Sequence, residues 1–427
     1  MPAAPAQAVV AEALAEAAAR YGTPTYVYDL ARIRARTDEL DGTLPPGIGV
    51  RYSVKANPCP AVGQVIAAAG FGAEVSSAAE LELALEAGFR PDQILVSGPY
   101  KDEELLRLAG SLTGLLVSVD SLSELRQFAA WPGPRTVLRL RPDYPSAGEM
   151  GAGSPDRFGI PAGQLRGEAG ELARAAGCAG FHVYGGSQIL DPAALARSLG
   201  RAYDLAMRAA AALDVVPEVV NLGGGFGVPY DERGRELDLA PAAATLRALT
   251  ARTPGTAVVL ELGRYLVARA GWYVTRVVHQ QTFDGRPAVV VDGGIHHRPD
   301  LCGLDLARRA APPLLLGAPR RGTTATAVLG CLCLPWDVLA YGAALPPLRA
   351  GDVLAFPDAG AYGLSAAPAG FLGHRLPAEV ALDGATLTRL RPPQPRSGPP
   401  DAGPPEHGPP EHGPPGSVRP GLSASVP

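Results

Sequence analysis

The sequence predicts an α/β protein: a (β/α)8 barrel followed by a C-terminal β-rich domain that also takes in a strand from the N-terminus. Three observations carry this expectation. From about residue 48, eight short apolar runs alternate with helix-patterned segments. After about residue 270 the helical patterns give way to turn-punctuated β-like runs. The chain also has 427 residues, a length suited to two or three domains. Strands that stay apolar on both faces, with helices between them, belong to a parallel sheet. Eight such units are what a closed barrel needs, and the count favours it over an open doubly wound sheet.

Taken in order, "AEALAEAAAR" (11–20) carries Glu12 and Glu16 and lacks a basic start. It reads as an amphipathic helix rather than a signal peptide. "TPTYVYDL" (23–30) is a strand that precedes the barrel and is expected to return to the β-domain. The barrel strands are "GVRYSV", "GAEVS", "ILVSG", "LLVSVD", "TVLRLRP", "AGFHVYG", "EVVNLGG" and "AVVLELG". Helices lie between them, for example at 77–88 and 192–213. The β-domain is expected from "GWYVTRVVHQ", "RPAVVVDGG", "TATAVLG", "DVLAFPDAG" and "PAEVAL". The expected limits are 1–30 for the N-terminal helix and strand, 31–268 for the barrel, 269–390 for the β-domain and 391–427 for a tail. That tail repeats "GPPEH" and is so rich in Pro and Gly that it is expected to be disordered, His407 and His412 included.

A formal net charge of −4 without a Lys/Arg-rich run gives no basic field for nucleic acid. No stretch approaches the ~18 apolar residues of a membrane span. Small molecules or other proteins are the expected partners. The five cysteines, Cys59, Cys178, Cys302, Cys331 and Cys333, are scattered and odd in number, unlike a disulfide framework. A reducing cytoplasm is the expected home.

Barrel chemistry collects at the carboxyl ends of the strands. There Lys55 ends "YSVK", either as a solvated surface lysine or as one that forms an imine. Gly223, Gly224 and Gly225 follow the seventh strand, as a tight turn or as a backbone cradle for phosphate. Glu261 and Arg264 end the eighth, as a buried ion pair or as a carboxylate for a pyridine nitrogen beside a phosphate-binding guanidinium. His182, Tyr184 and Ser187 end the sixth, offering a flat ring and a hydroxyl donor. The Cys331–Cys333 C-x-C and the His296–His297 pair each lack the partners a zinc site needs, so no metal site is expected.

Together these parts suit pyridoxal phosphate, and here a resemblance becomes specific. "YSVKAN", "GGSQ", "NLGGGFG", "ELGR", "LCLPWD" and "GAYG" occur in the order and spacing of the alanine-racemase-fold decarboxylases, which include the diaminopimelate, ornithine and arginine decarboxylases. The resemblance covers roughly residues 20–385. It implies pyridoxal 5'-phosphate on Lys55, with the phosphate held by Gly223–Gly225, Ser187, Arg264 and Tyr362. Glu261 would pair with the pyridine nitrogen, and either Tyr184 or His182 would lie on the ring. Cys333 would reach into a neighbouring subunit's site to serve protonation, which implies at least a homodimer.

The departures bear on substrate. The acid that follows the cysteine in the diamino-acid enzymes, where it receives a distal ammonium, is Leu334 here. The C-terminal stretch "AGAYGLSAAPAGFLGHRLPAEV" is similar to that of the glutamyl–carrier-protein decarboxylase of butirosin biosynthesis, whose substrate is acylated at its far end. The expected reaction is decarboxylation of an L-α-amino acid or a carrier-bound derivative, in specialised metabolism. His374 is a candidate for the substrate mouth, and Arg298 for gripping a carboxylate or for an ordinary surface role. The alternative is meso-diaminopimelate decarboxylation in lysine biosynthesis. An amino-acid racemase is disfavoured by the acid Glu261, and a pyridoxal phosphate carrier protein by the β-domain.

Overall fold

The computed structural model describes residues 5–131, 133–150, 157–231, 234–299 and 304–390. The Pro/Gly-rich tail with His407 and His412, like Cys302, lies outside the described residues. After a helix over Pro5–Tyr21 come β1 (Thr25–Asp29), β2 (Ile48–Ser53), β3 (Gly72–Val75), β4 (Ile94–Val96), β5 (Leu116–Val119) and β6 (Arg135–Arg141). Then follow the two-residue β7 (Ile160–Pro161), β8 (Cys178–Val183), β9 (Val219–Asn221) and β10 (Ala257–Leu262). The later strands are β11 (Gly271–Phe283), β12 (Arg286–Val291), β13 (Leu314–Leu316) and β14 (Thr324–Leu329). The chain ends in β15 (Val338–Leu345), β16 (Val353–Phe356), β17 (Ala378–Asp383) and β18 (Thr386–Arg389).

Strands β2 to β6 and β8 to β10 pair in parallel, and the β5–β6 and β10–β2 pairings close them into the expected barrel. Its strands are apolar because they face the barrel interior on one side and helices on the other. The helix Pro192–Leu213 shows how local chemistry sets limits. Asp191 accepts from the Ala193 and Ala194 amides, and Pro192 opens the first turn. Register then levels the site: Arg139 stands opposite His182 and His182 opposite Asn221, while Glu261 stands opposite Arg51.

The second sheet is built around β1, which runs antiparallel to β11 and parallel to β17. All five β1 residues are buried, so the N-terminal strand is its centre rather than an edge. Leu14 and Ala17 of the first helix pack under it with Val27, Trp272, Val274 and Val380. Four strands, β7, β13, β15 and β18, have no counterpart among the sequence expectations. Three of them have four residues or fewer, and β15 (VLAYGAAL) ends in small residues that blur its periodicity. Lys55 also departs from expectation: it stands two residues past the end of β2, in a single 3-10 turn over Val54–Ala56.

Candidate active site

Polar side chains at the strand ends converge on a cavity of about 420 Å³ at the mouth of the barrel. Lys55, His182, Tyr184, Ser187, Gly224, Gly225, Glu261, Arg264 and Tyr362 all line it. The Lys55 side chain is 48% exposed, but it faces this cavity, and its ammonium lies 2.9 Å from both oxygens of the buried Glu74. Burial works against the ammonium, yet Glu74, with Tyr362 and Glu261 beyond it, outweighs burial and holds the lysine above its ordinary range. Ser97 and Ser76 donate to the same Glu74 oxygen.

Opposite, Glu261 is buried and accepts from Asn221 Nδ2 at 2.6 Å. His182 Nε2 stands 3.3 Å from its second oxygen, and His182 Nδ1 meets Ser118 Oγ at 3.0 Å. Burial alone would raise this carboxyl. The His182 ring, Lys55 and the Asn221 amide reverse that and hold it below the ordinary carboxylate range. His182 is held through Nδ1 by Ser118, its Nε2 facing Glu261 without a hydrogen bond, while Tyr184 is the less buried ring of the two.

The third wall is made of backbone. Gly223 has φ +65° and Gly225 φ +97°, and a Cβ on Gly224 would run into the Glu261 carbonyl oxygen. Among the described residues no acceptor takes the Gly224 or Gly225 amide. Arg264 donates to Tyr230 Oη at 2.7 Å and lies 4.9 Å from the centre of the Tyr362 ring. Gly263 is what lets this turn close on the lysine, since a Cβ there would sit 2.9 Å from Ala56 Cβ. A lysine amine, a buried carboxylate across from it, and two unpaired amides beside an arginine fit the aldehyde, ring nitrogen and phosphate of pyridoxal phosphate.

Other expected residues are not brought here. Gly223 shapes the loop without lining the cavity, and Cys333, Leu334, Arg298 and His374 are absent from its walls. Cys333 is exposed on the 330–337 loop, and Leu334 beside it is half-buried. Arg298, expected to grip a carboxylate, is buried in the β-domain, donates to the Pro357 carbonyl at 3.0 Å and lies over the Phe356 ring. Conversely, Glu74, Asn221 and Arg139 belong to the site or its supports and were not foreseen. Glu74 and Asn221 are the one polar residue of β3 and of β9, a signal that does not by itself name a partner, and Arg139 lies among other polar residues of β6.

The description "Pyridoxal-dependent decarboxylase, pyridoxal binding domain" fits residues 30–268. The L-glutamyl-(BtrI acyl-carrier protein) decarboxylase of Niallia circulans is 33% identical over 380 residues, covering 84% of this chain and 89% of its own. The diaminopimelate decarboxylase of Archaeoglobus fulgidus is 34% identical over 359 residues, covering 80% and 84%. A crystal structure of a diaminopimelate decarboxylase superposes with a TM-score of 0.79 at 26% identity, covering 90% of this chain and 94% of its own. This chain belongs to the pyridoxal-dependent decarboxylases, and pyridoxal phosphate is its cofactor.

Proposed function

We propose that this decarboxylase removes the α-carboxylate of an L-amino acid whose distal end is neutral or acylated, as on an acyl carrier protein. The observation that carries the reading is Leu334, which stands where an acid would be needed to receive a distal ammonium. Leaving that ammonium unpaired beside a leucine would cost several kcal/mol. Similarity to the Niallia circulans carrier-protein decarboxylase supports the same direction. Lysine biosynthesis from meso-diaminopimelate is the second reading, favoured by the Archaeoglobus fulgidus relative.

When bound, pyridoxal phosphate supplies the electron sink for the pair left behind by the departing carboxylate. The chain's residues bind and orient it. The Gly224 and Gly225 amides, the Ser187 hydroxyl, Arg264 and Tyr362 hold the phosphate, with Gly223 setting the turn. Glu261, kept ionised by its neighbours, holds a proton at the pyridine nitrogen. Tyr184, the less buried of the two rings on the cavity wall, covers a ring face. Lys55 Nζ carries the cofactor and handles protons, with Glu74 balancing its charge at rest.

Cys333 acts from a second copy of the chain, so the working unit is a homodimer with shared sites. Exposed Trp336, Phe371 and Leu372 beside Cys333 and His374 support such a contact. Leu334 then reads the substrate from the partner's side, with His374 near that contact rather than on the substrate, whereas Arg298 braces the β-domain. The described cysteines are all free, and among the described residues no helix is long and apolar enough to cross a membrane, in keeping with a cytoplasmic home.

Release of carbon dioxide from free diaminopimelate, lysine, ornithine, arginine and glutamate, measured beside a carrier-bound glutamyl group, tests the proposal. Turnover of the carrier-bound substrate above all free diamino acids is expected. Efficient turnover of meso-diaminopimelate would overturn it.

A further inference from the structure

We infer that His296, Cys331 and His374 form a binding site for one divalent transition-metal ion, zinc by its ligand chemistry, beside the loop that carries Cys333. One thiol sulfur and two imidazoles lie with their ligand atoms all within 4.8 Å of one another. The second observation is independent of that clustering. His296 is 0% exposed, and neither of its ring nitrogens has a hydrogen-bond partner among the described residues. Leaving a buried polar group unsatisfied is destabilising, and a ligand that takes the nitrogen removes that cost. Neighbouring His297 does not share this condition, because its Nδ1 stands 3.3 Å from Tyr273 Oη.

The ligands come from three separate segments, which is why neither the His296–His297 pair nor the C-x-C reveals the site in sequence. His296 follows β12, Cys331 follows β14, and His374 follows the turn Phe371–Gly373. One buried carboxylate ties two of these segments together. Asp337 Oδ1 accepts from the Ile295 amide at 2.8 Å and Oδ2 from the Leu332 amide at 2.7 Å, each the neighbour of a ligand. The Cys331 amide donates to the Gly293 carbonyl at 3.0 Å, crossing between the same two segments. A Cβ on Gly330 would occupy the place of the Asp337 carboxylate, so this clamp requires glycine there. Such outer support fixes ligands before the ion arrives.

One sulfur and two nitrogens select zinc or a similar soft-to-borderline ion over calcium or magnesium. Bond lengths of ~2.3 Å to sulfur and ~2.0–2.1 Å to nitrogen require the ligand atoms, which lie within 4.8 Å of one another, to move inward on binding. Binding releases the Cys331 thiol proton to water. His296 is buried, Cys331 half-buried and His374 exposed, so the ion has a route in from the His374 side. The site would pin the 330–337 loop to the 371–374 segment.

The test uses untagged holoenzyme dialysed against cobalt(II), then against zinc, with bound metal counted by elemental analysis. About one ion per chain is expected, with a thiolate-to-cobalt charge-transfer band that zinc abolishes. The band should persist in Cys333→Ser and vanish in Cys331→Ser. His296→Ala should weaken retention by ~100-fold or more. Cofactor absorbance and circular dichroism check that each variant is folded, and the conservative Cys331→Ser keeps the test decisive if His296→Ala is not. No stoichiometric metal, or a band that survives Cys331→Ser, would overturn the assignment.

Discussion

The barrel mouth and the 330–337 loop carry the two halves of the expected chemistry, and they are built in opposite ways. At the mouth, Lys55, Glu74, His182, Asn221 and Glu261 stand at the ends of five strands whose parallel register sets their relative height. Hydrogen bonds join Lys55 to Glu74 and Asn221 to Glu261, and all but the lysine are buried. On the loop, Cys333 is exposed, and Trp336 nearby is 62% exposed. A buried, cross-linked constellation is complete within one chain. An exposed reactive residue flanked by bare apolar groups is half of something. The difference teaches that the cofactor cavity is walled within one chain, whereas the proposed reading of substrate by the 330–337 loop depends on a second copy.

The largest expected effect tests the complete half. Lys55→Ala should abolish borohydride-trappable cofactor and lower kcat by ~10³-fold or more. Full activity, or trapped cofactor still attached to the mutant chain, would place the imine elsewhere. The next breaks the comparison itself. Lys55→Ala and Cys333→Ala chains, each inactive, should recover about a quarter of wild-type activity when dissociated together and reassembled. Random pairing then gives half heterodimers, each with one intact site. Absence of recovery, with mixed dimers verified by mass, would mean that Cys333 serves its own chain.

Legibility in the sequence follows the same division. All eight barrel strands were readable because a strand buried on both faces is a short, continuous apolar run between helices. The candidate residues that line the cavity were readable as a set, because glycines and charges collected at the carboxyl ends of several strands, although each alone had a structural reading. Glu74 and Asn221 were not, since a polar residue within a run such as "GAEVS" shows its partner only when the neighbouring strand is aligned with it. The β-domain was harder still: β15 alternates small residues, and β1 is distant in sequence from both of its neighbours. Arg298 misled because an arginine reads alike whether it grips a ligand or lies on Phe356.

Glu261→Gln sharpens the contrast at intermediate size. Asn221 and His182 hold the wild-type carboxylate ionised, and an amide cannot keep a proton on the pyridine nitrogen. Cofactor should remain bound, because the phosphate contacts are separate, while kcat drops by on the order of 10²-fold. Wild-type kcat in this variant would reduce Glu261 to a structural partner of His182.

The smallest effect concerns Leu334, on the incomplete half. If this residue faces the distal end of a substrate in the partner's site, an acid there should draw in free diamino acids. Leu334→Asp or Leu334→Glu should shift preference toward them by roughly 1–3 kcal/mol, the range of a charge-assisted hydrogen bond. A nearby native acid taking that role would remove the effect, and Asp337 is the obvious candidate. Its two oxygens, however, already accept the Ile295 and Leu332 amides, and it is 3% exposed. Asp292 is similarly engaged, by the Thr23 hydroxyl at 2.5 Å and the Arg276 amide at 2.8 Å. The 3% exposure of Asp337 and these contacts leave both acids oriented toward the protein rather than toward a substrate. The measurement is kcat/KM for meso-diaminopimelate in wild type and both variants. A wild-type value of ~10⁴ M⁻¹s⁻¹ or more, unchanged by the new acid, would show that the ammonium is received elsewhere and that Leu334 does not read the substrate.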